Sequence, residues 1–130
     1  MIKQDYGSKN CMAVVATVAF HSPIEEFEKF CNDEQGPYGI MQFVRFGFTR
    51  GYITGFYCFL NPKVHFGMII EKVDIQTMPA LVIVKSAYNE GEQHACYWDG
   101  KNIMDPDPAV QEYKNPKDYE ILEWYPILKF

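Results

Sequence analysis

The stretch Cys11–Phe20, CMAVVATVAF, carries no charged side chain and a single hydroxyl, on Thr17. Its length and content suit a helix, capped by Asn10 or by Ser8 before it. Apolar on every side, such a helix has no face for water and must be covered all round. The rest of the chain therefore has to wrap it. A chain of 130 residues is about the size of one domain and can bury roughly two-thirds of its unfolded surface, which is enough to do so. Residues 1–130 are accordingly read as a single domain.

The cover divides into two kinds. In HSPIEEFEKFCNDEQG, Ser22 stands as an N-cap, Pro23 at the first helical position and Glu25 as the partner in a capping box, with Ile24, Phe27, Phe30 and Cys31 on one face. From Pro37 to Phe46 the spacing of Ile40, Met41, Val44 and Phe46 predicts a third helix, after which Gly47, Gly51 and Gly55 break regularity. Asn61 and Pro62 would open a further helix through NPKVHFGMIIEKV, a stretch whose Val64, Phe66, Ile69 and Ile70 also suit a strand. Beyond Met78 and Pro79 the pattern changes. ALVIVKS (80–86), QHACYW (93–98), KNIMD (101–105) and YEILEWYPIL (119–128) are short β-branched or aromatic runs between turn residues. Helices first and strands second is the α+β arrangement, with an antiparallel sheet at the C-terminal end.

Charge and cysteine usage narrow the partners. A net charge of -5 and a pI near 5.1, with no run among the 12 basic residues, argue against nucleic acid or anionic lipid. The first ten residues lack a signal-peptide core, and Met12–Phe20 is too short to span a bilayer, so the expectation is a soluble, cytoplasmic protein with no membrane partner. Cys11, Cys31, Cys58 and Cys96 show no CxxC spacing, which signals neither a zinc site nor a disulfide framework. No cofactor is implied.

One pair of strands brings chemistry together. Asp99-Gly100 between two strand-like runs predicts a type I′ turn. With these two as the loop, Trp98 faces Lys101, Tyr97 faces Asn102, Cys96 faces Ile103, Ala95 faces Met104 and His94 faces Asp105. Opposed residues have Cβ atoms about 4.5–5.5 Å apart, so the hairpin sets a carboxylate beside an imidazole. That pairing orients the ring and stabilises its charged form, as a nucleophile's base requires. Cys11 suits the nucleophile because it alone of the cysteines heads a helix, where the dipole favours a thiolate. Cys96, two residues from His94 on the same strand face, is the competing thiol. His21 and His65 have no partner at motif spacing, and Asp107, past Pro106, is read as a turn residue.

The order of Gln4, Cys11 opening a buried helix, His94 starting one strand and Asp105 on the next resembles the papain-like cysteine peptidases. Within that superfamily it is most similar to the short bacterial bacteriocin-processing, double-glycine-leader peptidase domains. QDYGSKNC and HACYWDGKNIMDPDP carry the likeness, and MPALVIVKS looks like the strand before the histidine strand. The resemblance implies a papain-like fold, Cys11 as nucleophile, His94 as base and Asp105 as orienter. Gln4 would be the side-chain donor of the oxyanion hole beside the Cys11 backbone N–H, with Gln93 and Asn10 as alternatives. Met12 stands where many relatives have glycine, and Gln4 lies seven residues before the cysteine rather than about six. The implied activity is hydrolysis of a peptide or isopeptide bond in a polypeptide substrate. Acyl transfer from the same site and a non-catalytic binding module are the alternatives.

Overall fold

The computed structural model describes residues 11–55, 57–58, 78–85, 93–107 and 118–130. The helix expected from Asn61 and Pro62, together with Gln4, Asn10 and His65, lies outside them. Among the described residues three helices, α1 (Cys11–Phe20), α2 (Ile24–Asp33) and α3 (Ile40–Thr49), precede an antiparallel sheet. Its strands are β1 (Tyr52–Thr54), β2 (Tyr57–Cys58), β3 (Ala80–Lys85), β4 (Gln93–Trp98), β5 (Ile103–Met104) and β6 (Ile121–Lys129). The chain is α+β, as its pattern of runs predicts.

Helix α1 is central. Five successive residues, Met12 to Ala16, are buried, so every side of its first turns is covered. Phe27 and Cys31 of α2, Phe43 and Phe46 of α3, and Leu81, Ile83, Ala95, Tyr125 and Ile127 of the sheet supply that cover. Two local expectations fail for identifiable reasons. The capping box before α2 does not form: Pro23 occupies the N-cap, and the Ser22 hydroxyl turns back toward the Phe20 carbonyl at 3.5 Å. Helix α3 starts at Ile40 rather than near Pro37, because Gly39 is extended and its carbonyl receives the Phe43 N–H at 3.0 Å. The helix also runs through Gly47 instead of stopping there. A Cβ at that position would come within 2.5 Å of Phe20, so the glycine lets α3 close onto α1.

The strand order is β1-β6-β3-β4-β5, with β2 also on β6. β1 and β2, placed in the region read as irregular, keep one register along β6, from Tyr52 opposite Lys129 to Cys58 opposite Glu123. The sheet separates two apolar clusters, since neighbouring side chains on a strand point to opposite faces. One face takes the helices. The other holds Ala80, Val82, Val84, Cys96, Trp98, Ile103 and Trp124, with the two indoles 5.4 Å apart. β6 carries a bulge. Ile83 faces Glu123 but Val84 faces Ile121, leaving Leu122 as an extra residue. A one-residue slip inverts the alternation, so Tyr125 and Ile127 lie on the helix face while Ile121 and Tyr119 pack on the other.

Candidate active site

The hairpin that carries His94 is displaced from the expected register. Trp98 faces Ile103 and Tyr97 faces Met104, and the Asp99 N–H donates to the Asn102 carbonyl at 3.2 Å. The loop is Gly100-Lys101, not Asp99-Gly100. None of the five expected pairs forms, and β5 ends at Met104, leaving Asp105 beyond it. The cause is the Asp99 side chain, which accepts the N–H groups of Lys101 at 2.8 Å and Asn102 at 2.7 Å and so holds Asp99 outside the turn. Gly100, at φ 100°, takes the first loop position, where a type II′ turn needs positive φ.

The displacement is two residues, the repeat of side-chain alternation, so the faces are preserved. Continued one step past β5, the register sets Asp105 opposite Cys96 and diagonal to His94. The contact therefore survives. His94 Nε2 lies 2.6 Å from Asp105 Oδ1, with Asp105 only 3% exposed. Asp105 Oδ1 also accepts the Asp107 N–H at 2.9 Å, and Oδ2 accepts the Tyr119 hydroxyl at 2.7 Å. Asp107 thus meets Asp105 through its backbone. Tyr119 is the site residue that sequence reasoning missed, because in an unbroken strand it would share the helix face with Tyr125.

Cys11 reaches this pair from the head of α1 and is half-buried. The Asp99–Asn102 pair shows which β4 backbone groups point outward: those of Tyr97 and Ala95 lie on the same side as Asp99. Among the described residues no strand reaches Ala95 on that side, and its N–H donates to the Cys11 sulfur. Met12 provides a second N–H, one of those a helix start leaves without an intrahelical partner.

Electrostatics separates the thiols. Burial pushes the Cys11 thiol up, but hydrogen bonding to His94 and the two backbone donors outweighs it, and the net direction is down. Burial pushes Cys96 up to about 11, with the Asp105 charge adding to it and His94 only partly opposing. Cys31 is buried and pushed up by burial and by Glu34 and Glu28. Of the three described free cysteines, Cys11 alone is biased toward thiolate. Burial pulls His94 down, but hydrogen bonds with Asp105, Cys11 and Cys96 prevail and raise it to about 12. Asp105 is held below the usual carboxylate range by His94 and Tyr119, against the effect of burial. With Nε2 engaged by Asp105, Nδ1 is the ring nitrogen that the carboxylate leaves open.

Donor atoms of His94, Cys96 and Asp105 lie within 4.8 Å of one another, close enough to raise the question of a metal. Both Asp105 oxygens accept hydrogen bonds, so the same three residues also form a hydrogen-bond network. Gln93, an alternative oxyanion donor, is exposed on β4. Among the described residues no helix is long and apolar enough to cross a membrane. Set against family models, curated proteins and solved structures, the chain matches none.

Proposed function

We propose that the chain is a papain-like thiol hydrolase that cleaves a peptide or isopeptide bond in a polypeptide through Cys11, His94 and Asp105. The observation that carries the reading is the linkage of the three: a thiol at a helix start, biased toward thiolate by an imidazole whose far nitrogen is 2.6 Å from a buried carboxylate. A thiolate–imidazolium pair has both groups an acyl transfer needs. The Cys11 sulfur attacks the carbonyl carbon and the oxygen takes up the negative charge. As the intermediate collapses, His94 gives its Nδ1 proton to the leaving amine and a thioester remains on Cys11. His94, now neutral, takes a proton from water, whose oxygen attacks the thioester, and the acid is released with the thiolate restored. Backbone N–H groups at the head of α1 are the oxyanion donors nearest the sulfur. Gln4, the side-chain donor that the resemblance implies, lies outside the described residues.

The test has two stages. Pulse alkylation at pH 6 with peptide mapping is expected to label Cys11 ahead of Cys31, Cys58 and Cys96. Incubation of unaltered protein and Cys11→Ala with a peptide library is then expected to give new N-termini only with Cys11 present. Amine adducts without new termini would assign acyl transfer instead. Preferential labelling of another cysteine, or neither product alongside Cys11-independent capture of a partner, would overturn the enzyme reading.

A further inference from the structure

We infer that Tyr119 is a positioning residue of the same site, brought there by the β6 bulge, and that its hydroxyl keeps the Asp105 carboxylate aimed at His94. The inference rests on the Cys-His-Asp reading but concerns a residue outside it. A carboxylate held at one oxygen can swivel about that contact. Asp105 is held at both: Oδ1 by His94 and the Asp107 N–H, Oδ2 by the Tyr119 hydroxyl. The Tyr119 hydroxyl reaches Oδ2 from 14 residues further along the chain.

The placement of Tyr119 is itself built. Its neighbour Glu120 accepts the Lys85 N–H at 2.9 Å, which ties this stretch to β3. Its ring packs against the cluster of Ala80, Val82, Val84 and Trp124. Both depend on the extra Leu122, without which the alternation would turn Tyr119 toward the helices. The bulge thus spends one residue of regular pairing to aim one hydroxyl. The titratable groups around the ring of His94 are Cys11 from α1, Cys96 from β4 and Asp105 after β5, with Tyr119 and its neighbour Asp118 behind the carboxylate.

The test reads His94 directly. In Cys11→Ala protein, the His94 protonation midpoint measured by NMR is expected to move toward acid by about one pH unit on Tyr119→Phe, a tenfold loss of imidazolium on the alkaline limb. The shift should vanish when Asp105→Asn is already present. With Cys11 intact, Tyr119→Phe should move the alkaline midpoint of the Cys11 alkylation profile, whereas a merely structural role would scale the amplitude and leave the midpoints in place. An unmoved midpoint, a move toward alkali, or the same shift in Asp105→Asn protein would overturn the inference. Should Tyr119→Phe not fold, the unaltered protein decides: a slowly exchanging Tyr119 hydroxyl proton that is lost in Asp105→Asn supports the bond, and its absence refutes it. Because His94 titration needs neither Cys11 nor turnover, failure of the hydrolase reading would leave this result standing, and the reverse also holds.

Discussion

Replacing Asp105 with asparagine changes one atom and one charge, yet three groups touching that carboxylate each donate a hydrogen: His94 at 2.6 Å, Tyr119 at 2.7 Å and the Asp107 N–H at 2.9 Å. An amide NH2 has to face one of these donors. The backbone N–H cannot change and Tyr119 can only rotate its proton away. The ring can adapt by moving its proton to Nδ1, which then faces Cys11 as a donor and can no longer act as its base. The magnitude follows from ordinary acidities. A thiol near 8.5 beside an imidazole near 6.5 transfers its proton about 1% of the time, a factor of about 100 below a fully formed ion pair. Alkylation of Cys11 by iodoacetamide at pH 6 should therefore fall by roughly 100-fold in Asp105→Asn, less whatever the lower intrinsic nucleophilicity of a low-pKa thiolate already costs the unaltered protein. Turnover should drop by about 10²–10⁴ and still exceed that of Cys11→Ala. The assay is the second-order rate between pH 4 and 9, followed by mass spectrometry, with circular dichroism as a check on folding. The unaltered protein should hold a plateau through pH 6, and the variant should climb about tenfold per pH unit toward an ordinary thiol midpoint. A variant that is folded and keeps the acid plateau would refute the reasoning.

Stability should follow the same groups. His94, raised when folded, adds stability that is complete below about pH 6.5 and is lost as pH rises through its folded value near 12. Cys11, lowered when folded, adds stability present above about pH 8.5 and lost as pH falls. If Cys11 and His94 form an ion pair when folded, the folded pair holds one proton between about pH 6.5 and 8.5, as does the unfolded pair, and their joint contribution there is flat. Cys11→Ser removes the gain that offsets the loss from His94 as pH rises, and urea denaturation should then show stability already falling with pH across that window; an unchanged slope would show that the pair is not ionised. Gly47→Ala should cost about 1–3 kcal/mol, because the new methyl meets the Phe20 ring at 2.5 Å, and thermal unfolding at pH 7 reads it directly.

The parts of this fold that were legible in the sequence are those set by short-range pattern. Cys11–Phe20 announced a covered helix because no arrangement of its side chains offers water a face. The His94–Asp105 contact was reached through the wrong register, and survived because Asp99 moved the turn by a full two-residue repeat rather than by half of one. What stayed hidden depends on partners distant in the chain. Gly47 reads locally as a helix breaker, and only the Phe20 ring lying over it explains why α3 continues. Tyr119 could not be assigned to a face without knowing that Leu122 interrupts β6, since a bulge leaves no mark in ILEWYPILK that alternation alone would expose. Tyr52–Thr54 lies among glycines, and its strand is created by the last residues of the chain rather than by its own composition.

The sulfur of Cys11 draws its two backbone donors from separate elements, Met12 on the helix and Ala95 on the strand, and its imidazole from the strand as well. No fragment of the chain assembles that environment by itself. Until α1 docks on β4, Cys11 is an ordinary thiol, mostly protonated at neutral pH and slow toward electrophiles. A chain that loses this docking would lose the bias toward thiolate at Cys11. On the proposed reading, the rate at which Cys11 is labelled in the purified protein would therefore report whether α1 has docked on β4.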